Sequence, residues 1–435
     1  MTANGEHTAG MEDEPRGSGS AQHITEDEAS LYDRQIRLWG LEAQNRMRSS
    51  TVLLLSLRSL AHETIKNLVL AGIGRLIVMD DGAVTVDDLG TGFLFREEEG
   101  AVGQERVRAA AAQIESLNPL VSLTVRPTLS PFVRDPSTAS SSVDTEREMV
   151  DFLRKERVDV VVACDLKRDQ LIAIDGAARK AGSMFYGAGS YGFYGYVFAD
   201  LGADYEYVYS PLSTSTNPSP SLFKKKLSFP SFSQALETSN WYLGHKSTTL
   251  GASPFRDLTR QATRDSDPLT VIAMLALWEY EKRFGSLPSS SSRKRRRAIR
   301  DEGEQRSGTS HDADEAPSDD PPHIDDHEGV TASDSHEAFN QIYSDFKSQL
   351  GLNPKFRAPG DQHGLDMESI MLSHLVTHAE HSFAPTLAIL GGLLAQDVLR
   401  ALSKKDKPFV NLLAVDSMGG TGAVSRWAML DAVDA

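Results

Sequence analysis

A single cysteine, Cys164, in 435 residues leaves no partner for an internal disulfide, and none for a cysteine-rich zinc module or a CxxC redox pair. The chain therefore reads as intracellular. Long apolar runs are also missing. The longest, residues 383–395, covers about 13 positions against the roughly 20 that a spanning helix needs, so no membrane span is expected. Positive charge is not in excess: 61 acidic against 45 basic residues give a formal charge of -16, which argues against a general nucleic-acid-binding surface. Residues 1–29 are acidic and rich in Gly, Ser and Glu without an apolar centre, so neither a signal peptide nor a transit peptide is expected there.

Present instead are 40% apolar and 24% charged residues, the make-up of a soluble globular protein. The length allows two or three units or one elaborated α/β domain. Residues 26–48 carry Leu31, Ile36, Leu38 and Leu41 near helical spacing, which predicts one or two short amphipathic helices. Apolar blocks at 51–56 (TVLLLS), 75–80 (RLIVMD) and 158–164 (VDVVVAC) read as buried strands, with a further strand at 121–126. Helical stretches at 62–71, 102–118 and 169–181 alternate with them, the first ended by Gly72. Strands and helices in alternation imply a doubly wound, mostly parallel sheet.

A loop rich in Ser, Thr and Pro follows at 210–221, then a helix at 268–284. Residues 286–337 have a different texture. They hold SSSS, the basic run Arg293, Lys294, Arg295, Arg296 and Arg297, and then 13 acids against a lone Arg306. Such a segment has too little apolar surface to repay ordering and reads as a disordered insert. Its basic run is a candidate nuclear localisation signal, the alternative being a solvated charge run balanced by the acids after it. Helical signal returns at 338–350 and 386–402, and a strand at 409–416. The division is thus a disordered tail at 1–28, a discontinuous domain at 29–285 and 338–430, and the insert at 286–337.

The first strand of a doubly wound sheet normally leads into a glycine-rich turn whose N–H groups face a phosphate at the next helix. Here the turn is Ser56-Leu57-Arg58-Ser59-Leu60-Ala61-His62-Glu63, with no glycine and with bulky Arg58 where a ligand would lie. Taken alone, it fits equally well a βαβ unit that never bound a nucleotide.

Ahead of that turn, residues 31–40 (LYDRQIRLWG) resemble the YDRQ-type N-terminal helix of activating enzymes for ubiquitin-like modifiers, which share the Rossmann-like ThiF/MoeB adenylation fold. The resemblance continues through 52–80, Asp88-Leu89, Phe93-Leu94-Phe95, Val102-Gly103, Leu117-Asn118-Pro119, 191–201 (YGFYGYVFADL), Lys224-Lys225-Lys226 and 391–397 (GGLLAQD). Within the family these segments are most similar to the smaller, non-catalytic (Aos-type) subunits of SUMO-activating enzymes, over about residues 25–285 and 338–427. Departures from the active pattern are specific. The family's GxGGxG positions fall on Ser56, Arg58, Ser59 and Ala61. Its D-x-D keeps Asp80 but has Gly82, its N-R-Q becomes Gly90-Thr91-Gly92, its helix lysine becomes Arg106, and Asp165 matches the magnesium-side aspartate.

The resemblance implies that this chain binds no ATP, metal or other cofactor. ATP and Mg²⁺ would sit in a catalytic, Uba-type partner of a heterodimer, which would act on SUMO and pass it to the SUMO-conjugating enzyme. Arg34 would reach in trans into the partner's ATP site, where a planar fork suits phosphate oxygens; the bland alternative is an exposed helix charge. Cys164, ending a buried strand beside Asp165, reads as structural rather than as a thioester nucleophile. Two rivals stay open: the corresponding neddylation subunit, and a non-enzymatic scaffold with a degenerate adenylation domain. An autonomous MoeB-like adenylyltransferase is more remote.

Two further features stand out. His374, His378 and His381 share a helical face with metal-compatible spacing, but neither Cys nor HExxH supports them, and the reading is ordinary surface or interface histidines. Gly391-Gly392 inside an apolar helix costs about 1 kcal/mol each relative to Ala, which implies close packing, in the core or at a subunit interface.

Overall fold

Every residue of β1 (Thr51–Leu55) is buried, because both faces of the sheet it centres are covered. Leu53 and Leu55 enter one apolar core and Val52 and Leu54 the other, as successive strand side chains point to opposite faces. The computed structural model describes residues 30–134, 142–209, 222–241, 255, 261, 266–288, 332–352, 366–429 and 433–434. The tail at 1–28, the loop at 210–221 and the basic run at 293–297 lie outside them.

The remaining strands are β2 (Arg75–Met79), β3 (Ser122–Arg126), β4 (Val160–Cys164), β5 (Met184–Tyr191), β6 (Tyr194–Asp200), β7 (Tyr205–Tyr209), β8 (Phe223–Leu227), β9 (Leu412–Asp416), β10 (Thr421–Ser425) and β11 (Val433–Asp434). Eight form one sheet in the order β10-β9-β6-β5-β4-β1-β2-β3, and a small sheet runs β11-β8-β7. The half from β3 to β5 is parallel, with Thr51 opposite Arg75 and Val52 opposite Val160. From β5 onward the sheet turns antiparallel through a hairpin that pairs Tyr191 with Tyr194. The sequence pattern does not expose that hairpin, because Gly187, Gly189, Gly192 and Gly195 interrupt the apolar run across 184–200.

The helices are α1 (Asp33–Trp39), α2 (Leu41–Arg48), α3 (Ser59–Ala71), α4 (Val86–Leu89), α5 (Arg106–Leu117), α6 (Ser142–Lys155), α7 (Arg168–Ala181), α8 (Phe232–Leu236), α9 (Pro268–Phe284), α10 (Ala332–Gln349), α11 (Met367–His378) and α12 (Ala384–Ser403). One core gathers Leu60, Ile65 and Leu68 of α3, Val107 of α5 and Leu390 and Leu394 of α12. The opposite core gathers Met149 of α6, Leu171 and Ile174 of α7, Val271 and Met274 of α9 and Phe339 of α10.

Several boundaries differ from the sequence reading. Helix α10 starts at Ala332, inside the segment read as insert, because Ser335 is buried and hydrogen-bonds the Tyr280 hydroxyl at 3.2 Å. Strand β9 starts at Leu412, since buried Asn411 before it is committed to Trp427, donating to its carbonyl at 3.0 Å and accepting from its N–H at 2.8 Å. Helix α12 has 20 residues and is long and apolar enough to cross a membrane by length and composition. Most of it is buried against α3 and the sheet, which accounts for its apolarity. Gly391 lets α12 and α3 approach: a Cβ there would lie 2.5 Å from Glu63 Cβ. Gly392 faces open space.

Candidate functional site: the sheet switch point and the arginine helix

Strand order reverses direction between β1 and β4, and the loops leaving their carboxyl ends frame the crevice where ligands bind in open α/β sheets. The sequence-marked residues converge there. After β1 the chain passes Ser56, a non-glycine with φ of 71°, and Arg58 is the extended residue before α3. Arg58 is exposed, and its charge acts on Asp165, which follows β4 at φ of 51°. Asp165 accepts the Ser190 N–H at 3.0 Å; burial holds its carboxyl above the usual range, with the Arg58 charge opposing.

The groups lining the rest of the crevice are paired with one another. Buried Asp80 accepts the Leu57 and Gly82 N–H groups, each at 2.7 Å, so both backbone donors nearest the turn are already used. Burial raises the Asp80 carboxyl, against the Gly82 N–H, the Arg106 charge and the Leu57 N–H. Arg106 lies 3.5 Å from Asp80 and 3.0 Å from Asp88. Asp88 also closes a capping box with Thr85. Its carboxyl is held low: burial alone would raise it, and the Thr85 hydrogen bonds and Arg106 outweigh that.

Position 82 has no room for a side chain while Arg106 is in place, since a Cβ would meet its Nη1 at 2.4 Å. The end of the Arg106 side chain thus occupies the space beside Gly82. Ser59 and Thr91 hydrogen-bond each other at 2.6 Å. Ala61 is fully buried. His62 beneath them accepts the Leu94 N–H on Nδ1 and packs edge-on to Phe93 and Phe95. Its pKa is pushed down to about 3 by burial, with Asp88 opposing and Arg106 reinforcing.

Arg34 lies elsewhere, on α1, a helix with no buried residue of its own. Arg34 is exposed and has no hydrogen-bond or ion-pair partner among the described residues, whereas Arg37 pairs with Asp33 at 3.0 Å. Close to it in the chain, Leu31, Leu38 and Leu41 are 58%, 74% and 50% exposed. Apolar side chains gathered with an unpaired arginine are the ingredients of an interface.

The sequence profile of the ThiF family matches residues 32–431. The chain belongs to the ThiF family. Proteins named SUMO-activating enzyme subunit 1 from Homo sapiens and Bos taurus are each 28% identical to it over 431 residues, covering 95% of this chain and 98% of theirs. The DNA damage tolerance protein RHC31 of Saccharomyces cerevisiae is 38% identical over 180 residues, 41% of this chain and 46% of its own. Among solved structures, one titled "Crystal Structure of SeMet PaaA" overlays with a TM-score of 0.34 at 18% identity, over 43% of this chain and 54% of that one, too loosely to bear on the fold.

In this ThiF-family chain Cys164 is fully buried, and burial first, then Asp165, pushes its thiol well up. That is the opposite of an activated nucleophile. Of the three histidines, His374 accepts the Phe193 N–H on Nε2 at 3.1 Å and packs on the Phe193 ring. Burial, then His378 and His381, pushes it down to about 4. No cluster of three or more metal-binding side chains occurs among the described residues. Asp88 and His62 were not marked as site residues by sequence. Three acid and base positions 8 to 26 apart carry no spacing that announces an Asp80–Arg106–Asp88 bridge.

Proposed function

We propose that this chain is the non-catalytic subunit of a heterodimeric SUMO-activating enzyme. The catalytic, Uba-type partner binds ATP and Mg²⁺, adenylates the C-terminal glycine of SUMO, takes SUMO onto its own cysteine and delivers it to the SUMO-conjugating enzyme. This chain completes the assembly and extends Arg34 into the partner's ATP site, where a cation near the phosphates offsets charge that builds up in the adenylation transition state. The observation that carries the reading is the exposed, unpaired Arg34 on a helix surrounded by exposed Leu31, Leu38 and Leu41.

Three further points support it. Relatives matched along nearly their whole length bear the name SUMO-activating enzyme subunit 1. The switch-point residues do not fit ATP and Mg²⁺, because Asp80 already holds the Leu57 and Gly82 N–H groups and Arg106 is neutralised by two aspartates. Buried Cys164 supplies no thioester nucleophile. The basic run Arg293 to Arg297 supports a nuclear location.

The test is pyrophosphate exchange by the purified heterodimer with SUMO and ATP. Arg34→Ala should leave assembly intact and lower the exchange rate about tenfold or more, as loss of one preorganised phosphate contact does. An unchanged rate contradicts the role in trans.

A further inference from the structure

We propose that Tyr32 and Asn118 are positioning residues that set the reach of Arg34, an inference that rests on the proposed function of Arg34. Helix α1 has little else to hold it. None of its seven residues is buried, and its carboxyl end is tied by Trp39 Nε1 donating to Gln44 at 2.9 Å and by Lys405 Nζ donating to the Leu38 carbonyl at 3.2 Å. Its amino end is different. Tyr32, two residues before Arg34, is 2% exposed and supplies the carbonyl that accepts the Ile36 N–H at 2.8 Å.

The Tyr32 ring lies directly over Gly72, the left-handed cap of α3 with φ of 80°. A Cβ at 72 would meet the ring at 2.5 Å, so both the backbone conformation and the contact require glycine. The Tyr32 hydroxyl accepts from Asn118 Nδ2 at 2.8 Å. Buried Asn118 spends its second amide hydrogen on the Val69 carbonyl at 2.9 Å, and its Oδ1 accepts the Leu120 N–H at 3.1 Å. Through one side chain Tyr32 is therefore fastened to the end of α3 and to the loop after α5. These elements are packed in the core, so the root of α1 is fixed relative to the sheet while its outer face and Arg34 stay free.

An arginine that must meet phosphates across an interface is sensitive to such a root, since a misplacement of about 1 Å can cost on the order of 100-fold in rate. Tyr32→Phe removes only the hydroxyl and keeps the ring over Gly72. In the purified heterodimer with SUMO and ATP, it should lower the kcat of pyrophosphate exchange about tenfold, with little change in the KM for ATP or in assembly.

The decisive readout is the same substitution in an Arg34→Ala background, where a positioning residue has nothing left to position and no further loss is expected. Asn118→Ala removes the same bond from the other side together with those to Val69 and Leu120, so it should cost stability in both backgrounds but lower the exchange rate more with Arg34 present than in Arg34→Ala. An equal loss in both backgrounds would mean a general structural role and overturns the proposal, as does an unchanged rate in Tyr32→Phe while Arg34→Ala is impaired. If Arg34→Ala itself is unimpaired, the reading of Arg34 fails first and this inference falls with it.

Discussion

Adjacent glycines in α12 give a paired perturbation whose two halves have opposite signs. At Gly391 an added Cβ would lie 2.5 Å from Glu63 Cβ, 3.2 Å from the Thr64 nitrogen and 3.3 Å from the Glu63 carbonyl carbon. These atoms belong to or adjoin the α3 backbone, so no side-chain rotation relieves the overlap. Carbon atoms settle at about 3.5–4.0 Å, and the two helices would have to part by roughly 1 Å. That separation loosens Leu387, Leu390 and Leu394 from Leu60, Ala61 and Ile65 across the seam. Overpacking of this kind costs about 1–3 kcal/mol, against a helix-propensity gain of about 1 kcal/mol for Gly→Ala. Gly391→Ala should be destabilised by up to about 2 kcal/mol. At Gly392 no atom lies within 4 Å, so Gly392→Ala keeps the propensity gain and should be stabilised by about 0.5–1 kcal/mol. Urea unfolding of the two variants beside the wild type reads the difference. Gly391→Ala as stable as Gly392→Ala, or Gly392→Ala less stable than wild type, would refute the packing assigned to this seam.

Two other outcomes follow from buried titratable groups. Asp397 accepts the Tyr186 hydroxyl and the Phe409 N–H, both at 2.8 Å, and burial, opposed by these bonds and by Arg400, raises it from 3.8 to about 6. A carboxyl raised on folding holds its proton more tightly in the native state, so its contribution is present below about pH 4 and lost as pH rises through about 6. At about 1.36 kcal/mol per unit, the wild type should lose about 2 kcal/mol relative to Asp397→Asn between pH 4 and pH 7; a difference that does not vary with pH contradicts the assignment. Cys164, fully buried with its thiol pushed up, should resist a disulfide exchange reagent at pH 8 until the chain unfolds. Rapid stoichiometric labelling of the native protein would reopen its candidacy as a nucleophile.

The parallel half of the sheet was legible because β1, β2 and β4 are buried on both faces and so appear as unbroken apolar blocks. The antiparallel half was not, since four glycines are scattered through β5, the turn and β6, and nothing in the sequence singles out the left-handed Gly192 as the one at the turn. The site divides in the same way. That the first β–α turn, with Ser56, Arg58, Ser59 and Ala61, has no glycine is visible in the sequence, but what these residues do is set by partners remote in sequence, Thr91 for Ser59 and Asp165 for Arg58. Gly82 reads as a lost acid, while the structure adds that Arg106 fills its space. Gly391 and Gly392 look alike in sequence, and only the neighbouring helix distinguishes one from the other. The anchoring of Tyr32 by Asn118 spans 86 positions and has no local signature at all.

The central claim is that this chain activates SUMO only by completing a catalytic partner. Co-expression with the source organism's catalytic subunits for SUMO and for the Nedd-type modifier, followed by ATP-dependent thioester formation with each modifier, tests it most directly. The account predicts thioester formation with the SUMO pair alone, carried on the partner's cysteine and lost without this chain. Activity with the other pair instead, or no stable complex with either, would contradict it.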